Sequence, residues 1–249
     1  MKYLFGLAFV VLLSTVVMAQ EEDEIGGDRP EEIQNIINNN QERFVFELTH
    51  DRALGDDAPD VTALSRGFNV YYMKNVPLGE SKFSVAPGLG IANRQVYMDQ
   101  VYTFTTADNV QLIDVTDQLD KTISKLNFTY AELPVELRYS SNPDKRGKSF
   151  KVATGFRAGY LLSSKFKYKG QVFDGTEGRF VGDAATARYT EKFKIKKLEN
   201  LVNYRVAPSF RMGYGSVNVF GLYHLNDDFD SGRGPDMKGY SIGVSISSF

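Results

Sequence analysis

Cysteine and tryptophan are both absent, and only two histidines, His50 and His224, occur in the 249 residues. Without cysteine there can be no disulfide staples, thiolate nucleophile, zinc–thiolate centre or lipid anchor attached to a cysteine. Two histidines leave little material for a His-based metal site, and the sequence suggests neither a metal nor a cofactor. A charge excess is missing too, with 29 Lys and Arg against 31 Asp and Glu and a pI near 5.8. A nucleic-acid binder needs a basic footprint to displace counterions from phosphates, so that partner class is excluded. Glycine (22) and proline (8) are spread too evenly for a low-complexity chain. Beyond the N-terminal residues no stretch offers a long apolar run, so helical membrane spans are not expected. The mean hydropathy of −0.29 argues against a membrane protein only if membranes are crossed by helices.

What is present begins with a leader. Lys2 precedes an almost wholly apolar stretch from Tyr3 to Val17, and Val17-Met18-Ala19 has the form of a cleavage site. Residues 1–19 therefore read as a secretory signal peptide. An uncleaved anchor is disfavoured, because a helical span needs about 20 apolar residues and the acidic Glu21-Glu22-Asp23-Glu24 follows at once. Residues 20–42 carry eight carboxylates against a single base, Arg29. Pro30 suits a first helical turn, with Glu31 and Glu32 near its positive dipole end. Ile33, Ile36 and Ile37 would then share one face. The segment reads as an acidic periplasmic linker with a helical turn or two; a docking helix or plug is the alternative.

From Arg43 onward the period is two. Phe44, Phe46 and Leu48 alternate with Val45 and Glu47; Phe68, Val70 and Tyr72 with Asn69 and Tyr71. Phe83, Val85, Pro87, Leu89 and Ile91 alternate with Ser84, Ala86, Gly88 and Gly90. Leu133, Val135, Leu137 and Tyr139 alternate with Pro134, Glu136 and Arg138. Upstream in that strand Leu126, Phe128 and Tyr130 fall in the opposite phase, which predicts a bulge near Ala131-Glu132. Similar patterns follow at 150–162, 204–211, 217–225, blurred by Phe220 and Leu222, and 240–247. These are eight strands, most of the length a tilted membrane-crossing strand requires, about 9–11 residues.

Alternation alone does not tell a soluble barrel from a transmembrane one, since the two differ in which face is solvated. The less apolar face carries Ser84, Ala86, Gly88, Gly90, Ala153, Gly155 and Gly159 with isolated charges. Small residues and pairable ions suit a crowded lumen, while Phe, Tyr, Val, Leu and Ile suit a lipid-facing band. A spanning sheet must close, or its edges would leave backbone groups unpaired in hydrocarbon. The connections alternate between long (51–65, 93–124, 163–195, 227–237) and short (77–81, 140–148, 213–215), which places all short turns at one end. Outer-membrane barrels have short periplasmic turns, so both termini are expected in the periplasm. Phe249 resembles the terminal aromatic of such barrels, although it shares phase with Ser245 and Ser247.

Several segments resemble the PorT-like outer-membrane β-barrel family of Bacteroidetes. They are Arg66-Gly-Phe-Asn-Val-Tyr-Tyr-Met-Lys-Asn-Val-Pro-Leu-Gly79, Phe83-Ser-Val-Ala-Pro-Gly-Leu-Gly-Ile91, Tyr130-Ala-Glu-Leu-Pro-Val-Glu-Leu-Arg-Tyr139 and Gly155-Phe-Arg-Ala-Gly-Tyr160. The resemblance covers nearly all of the chain beyond Arg43. It implies an eight-stranded barrel in a Gram-negative outer membrane, and, through the family's namesake, a link to type IX secretion. It brings no catalytic residue.

The expected fold is thus all-β, an eight-stranded antiparallel up-and-down transmembrane barrel over 43–249 behind a short periplasmic segment. Eight strands leave room only for their own side chains, so Glu47, Glu136, Arg138, Lys151, Arg157, Arg205 and Arg211 are expected to form a hydrogen-bonded plug. His50 and His224 are placed near the extracellular rim, where Ser231 and Asp227 or Asp228 could stand near His224 as material for a hydrolase. No motif fixes that geometry, and a non-enzymatic role is expected, with no catalytic residue. The loop Asn226–Asp236 looks like a calcium loop, but Gly is missing at its sixth position and Met237 replaces the bidentate Glu, so no metal site is expected. Gly88-x-Gly90 reads as lumen packing, not phosphate binding. The expected role is structural or interactive, with lipopolysaccharide around the barrel and envelope proteins at the long loops or at 20–42. A lipid-modifying enzyme and a soluble exported ligand-binding barrel are the alternatives.

Overall fold

A computed structural model describes residues 43–55, 58–59, 61, 65–98, 100–104, 110–114, 123–171, 173–174, 179–180 and 190–248. The chain divides into Met1–Gln34 and Asn35–Phe249. The expected signal peptide, the acidic segment and Phe249 all lie outside the described residues.

Eight strands make the barrel: β1 (Phe44–Leu54), β2 (Arg66–Met73), β3 (Phe83–Met98), β4 (Ile123–Ser140), β5 (Phe150–Gln171), β6 (Tyr204–Tyr214), β7 (Val217–Tyr223) and β8 (Lys238–Ser248). Each pairs antiparallel with its sequence neighbours, and β1 pairs with β8 from Phe44↔Ser248 to Leu54↔Lys238, which closes the ring. The architecture is an eight-stranded up-and-down barrel, as the period of two predicts. Short turns join β2 to β3, β4 to β5 and β6 to β7, all at one end.

The outer surface is apolar over a defined height. At the short-turn end Phe44, Tyr72, Phe83, Tyr139, Phe150 and Tyr214 form an aromatic ring, with Phe44 against Tyr72 and Phe83 against Tyr139, each pair 5.3 Å between centroids. A second ring contains Phe68, Tyr160 paired with Tyr204, and Tyr223 paired with Tyr240. Between them Leu48, Leu89, Leu137, Phe156, Phe210, Val219 and Val244 point outward, Phe156 with 61% of its surface exposed. From Phe150 to Tyr160, at about 3.3 Å per residue and a tilt of about 40°, the rings stand about 25 Å apart. That matches the apolar band of a membrane barrel, about 25 Å tall between aromatic girdles.

Beyond the second ring the strands do not stop. β3, β4 and β5 continue to Met98, back to Ile123 and on to Gln171, and a further strand, Thr190–Lys196, pairs with the end of β5. Much of what the sequence assigns to loops at 93–124 and 163–195 is therefore sheet, including a small hairpin of Gln100–Phe104 with Val110–Asp114.

In this extension the faces exchange their chemistry. Val96, Met98, Leu126, Phe128, Tyr130, Phe166 and Tyr168 turn inward and pack with Leu198, Leu201, Phe229 and Met237 into a dry core. Outward stand Asn93, Gln95, Lys125, Asn127, Thr129 and Ser163. The expected bulge at Ala131-Glu132 is not there: even-numbered residues of β4 point inward without interruption from Ser124 to Ser140. The discontinuity lies on β5, where Thr129 pairs with Ser163 and Tyr130 with Leu161, leaving Leu162 as the extra residue. This bulge turns Phe166 and Tyr168 inward although they share parity with outward Phe156 and Tyr160. On β4 no bulge is needed, because the side chains themselves change from Leu126, Phe128 and Tyr130 to Glu132, Glu136 and Arg138 where the surroundings change.

Candidate functional site

The inward face of the membrane-height zone carries buried charges joined in hydrogen-bonded groups. Glu47 on β1 is wholly buried and Arg157 on β5 has 2% of its surface exposed. Arg157 donates Nη1 and Nη2 to the two Glu47 oxygens, each at 2.7 Å, the bidentate fork that gives ion pairs their strongest geometry. Asn69 Nδ2 donates to Glu47 Oε2 at 2.9 Å. Arg157 Nη1 also donates to the Tyr71 hydroxyl at 3.0 Å, and that hydroxyl donates to Glu132 Oε2 at 2.5 Å. Arg205 on β6 completes the chain, giving Glu132 Oε1 both Nε, at 2.9 Å, and Nη2. The guanidiniums lie over aromatic faces, Arg157 at 4.8 Å from the Tyr71 ring and Arg205 at 4.0 Å from Tyr130. One hydrogen-bonded line thus crosses the lumen and ties together β1, β2, β4, β5 and β6.

Local sequence explains how these groups meet. Gly90 on β3 leaves the Tyr71 ring its place: a Cβ there would lie 2.5 Å from Tyr71 Cδ1. Gly88-x-Gly90 is therefore lumen packing. Toward the short turns Glu136 Oε2 accepts from Arg138 Nε and Arg211 Nη2, both at 2.9 Å. Lys151 is buried beside them, lining a cavity of about 10 Å³ with Arg138, Arg211 and Asn218, room for one water. All seven lumen charges read from the sequence point inward and are buried.

The structure adds groups that the sequence reading passed over. Glu132 continues the parity of Glu136 and Arg138, and only the assumed bulge hid it. Arg94 continues the inward series Ser84, Ala86, Ala92 but falls in a span counted as loop. Its Nη1 donates to Asp228 Oδ2 at 2.6 Å, and its Nη2 donates to the Arg52 carbonyl at 3.2 Å. Asp51 accepts from Ser241 Oγ at 2.7 Å. Phe220 and Leu222, which blur the pattern of β7, are inward as well and pack with Ala207.

The candidate catalytic groups are not assembled. His224 is buried at the top of the lumen, not at the rim, and neither ring nitrogen has a hydrogen-bond partner among the described residues. It stands beside Arg94 across Gly239, whose missing side chain makes the space. Ser231 is exposed on the loop, while Asp228 is committed to Arg94. His50 faces outward and accepts from Arg52 Nε at 3.1 Å. In the loop that resembles a calcium site, Asn226 is used instead as a brace: its Oδ1 accepts from Val206 N and its Nδ2 donates to the Tyr204 carbonyl. Among the described residues no three acidic or histidine side chains gather to hold a metal. The same loop lays Phe229 and Met237 over the lumen as part of the dry core.

These features can be set beside known proteins. No curated protein matches the sequence. Among solved structures the chain is similar to the attachment invasion locus protein Ail of Yersinia pestis, in complex with the heparin analogue sucrose octasulfate. The identity is 12%, the coverage 83% of this chain and 97% of that one, and the TM-score 0.31. The family model for the outer membrane protein beta-barrel domain matches residues 30–229, which span the first seven barrel strands and the charged lumen. With a closed eight-stranded ring, two aromatic girdles and an apolar belt between them, this chain belongs to the outer membrane protein β-barrel domain family.

Proposed function

We propose that this protein is a non-catalytic outer-membrane anchor, whose barrel holds a rigid sheet platform on the cell surface for contacts within the envelope. Supporting this most is the braced lumen: the line Glu47–Arg157–Tyr71–Glu132–Arg205 crosses it and the Phe229 cluster covers it. An interior of this kind neither conducts nor takes up a solute, so the surfaces left for recognition are at the two ends. Short turns face the periplasm together with both termini, and the extended sheet faces outward, following the loop asymmetry of outer-membrane barrels. The acidic residues 20–42 are a periplasmic contact segment. The resemblance to the PorT-like family makes a secretion or assembly complex, type IX secretion first, the partner class to test.

Crosslinking in intact cells, followed by detergent extraction and pull-down, tests this reading. Envelope proteins should be recovered with the full chain, and deletion of the gene should impair export of their substrates. Recovery of the barrel alone, with secretion intact in the deletion strain, would contradict it. Reconstitution into planar bilayers should give no conductance steps.

A further inference from the structure

The sheet extension carries an outward face of unusual charge. Lys125 on β4, Lys165, Lys167 and Lys169 on β5, and Lys194 and Lys196 on the strand Thr190–Lys196 all lie on the side opposite the dry core. Their register sets lysine against lysine: Lys125↔Lys167 across β4 and β5, then Lys167↔Lys194 and Lys165↔Lys196 across the next pair. Opposed residues of neighbouring strands hold their Cβ atoms about 4.5–5.5 Å apart, where like charges destabilise a sheet. Among the described residues no carboxylate pairs with Lys165, Lys167, Lys169, Lys194 or Lys196. Among the described residues Lys125 donates to neutral groups, Gln95 Oε1 at 2.8 Å and the Tyr97 hydroxyl at 3.1 Å. A mostly solvated strand face ordinarily mixes signs, so this ladder is arranged for an anion that the protein itself does not supply.

Its height says which anion. The outward row changes from Ala131 and Tyr160 to Thr129 and Ser163, and the lysines follow directly above. Counting from Tyr160 at about 3.3 Å per residue and a tilt of about 40°, Lys165 and Lys167 stand about 10–20 Å beyond the apolar belt. That is the depth of the phosphorylated sugars of an outer-leaflet glycolipid. We propose that this lysine ladder binds the phosphate groups of lipopolysaccharide and clamps the platform upright on the leaflet. The inference rests on the orientation proposed above, in which the extension is extracellular.

The test uses the full-length barrel in phosphatidylcholine nanodiscs, with and without lipopolysaccharide, and compares it with the variant Lys165→Gln/Lys167→Gln/Lys194→Gln/Lys196→Gln. Each Lys near an anionic surface contributes about 1 kcal/mol, so the four together should weaken glycolipid binding by nearly three orders of magnitude, roughly 700-fold. The loss should steepen at low salt, and the matching Lys→Arg variant should retain binding. Dephosphorylated lipid A should bind the native protein as poorly as native glycolipid binds the Gln variant. Retention of a heat-modifiable band shows that the variant has folded. Equal binding by native and Gln proteins would overturn the proposal, as would tighter binding of inorganic phosphate or a soluble sulfated polysaccharide than of the glycolipid. Orientation is read separately, by labelling Ser231→Cys in intact cells with an impermeant maleimide. An unlabelled cysteine overturns the orientation whatever the nanodiscs show; a labelled one with unchanged binding overturns the ladder alone.

Discussion

The membrane-height zone and the extension above it are built from the same strands with opposite codes. On β3, outward Leu89 and Ile91 give way to Asn93 and Gln95, while inward Gly90 and Ala92 give way, beyond Arg94, to Val96 and Met98. On β4 the inward Leu126, Phe128 and Tyr130 become Glu132, Glu136 and Arg138. The backbone ladder is indifferent to this exchange, since each zone satisfies its N–H and C=O groups by the same pairing. What changes is the solvent outside. Hydrocarbon rewards apolar side chains facing outward and leaves the lumen to ions that pair across it; water reverses the arrangement and the interior becomes an ordinary hydrophobic core. The lesson is that a period of two reports a two-faced strand, and the sign of each face is set locally.

The comparison can be broken most severely in the lumen. Arg157→Leu leaves Glu47 buried with only Asn69, and loss of one partner of a buried pair costs about 3–5 kcal/mol. Equilibrium unfolding of the detergent-solubilised barrel in urea should show that loss. The double variant Glu47→Leu/Arg157→Met should recover roughly half or more of it, because the stranded charge is gone. In the extension the corresponding change is apolar: Phe166→Ala, on a wholly buried ring, should cost about 3–5 kcal/mol. Its effect should be local, with limited proteolysis cutting within 123–130 and 161–171 while the membrane zone keeps its heat-shifted gel band.

A charge walked along the outer face of β5 sharpens the boundary itself. Phe156→Lys, midway between the girdles, should destabilise by about 2–4 kcal/mol. Ser163→Lys, just past the bulge, should stay within about 0.5 kcal/mol of the native protein. Unfolding midpoints in the same lipid give both values.

The smallest effect concerns the turn at the opposite end. Asp144 accepts from the Tyr214 hydroxyl at 2.5 Å and from the backbone N–H groups of Arg146 and Lys148 at 2.8 Å each. The Tyr214 hydrogen bond first, then the Lys148 N–H, hold its carboxyl below the usual aspartate range. A depressed folded-state pKa means that the turn is fully supported above the ordinary aspartate pKa and loses that support as pH falls through the lowered one. Protection of the Gly147 amide, whose N–H donates to the Asp144 carbonyl, should fall in acid when observed exchange is taken against the intrinsic rate at each pH, and Asp144→Asn should remove that fall.

The barrel was legible because alternation, loop-length asymmetry and aromatic placement all derive from one geometry. Strand number follows from parity, and the outward set Phe44 to Leu48 and Phe83 to Ile91 and the seven lumen charges follow from parity once the small, sparsely charged face is read as the lumen. The extension is not legible, because the rule that apolar residues face lipid turns every one of them outward. Under that rule Leu126, Phe128 and Tyr130 demand a bulge at Ala131-Glu132, and the bulge hides Glu132. Arg94 was lost for a related reason: Asn93, Gln95 and Tyr97 look like loop residues if an outer face must be greasy. Leu162 as the true bulge could not be read, since an extra residue between two runs of equal parity leaves no mark in either run. The burial of His224 is not legible either, since strand position gives a residue's height alone and its place behind Gly239 depends on tertiary packing.

The exchange of faces is tested most directly by a nitroxide scan, which the absence of native cysteine makes straightforward. Single cysteines placed at successive positions of β3 and β4 are labelled in lipid, and collision with oxygen and with a water-soluble nickel chelate is measured at each. Odd-numbered sites should be oxygen-accessible through Ile91 and from Ala131 onward, and nickel-accessible at Asn93, Gln95, Asn127 and Thr129. Even-numbered sites should be shielded throughout both strands. Oxygen accessibility at Leu126, Phe128 and Tyr130, with Lys125 and Asn127 shielded, would contradict the account.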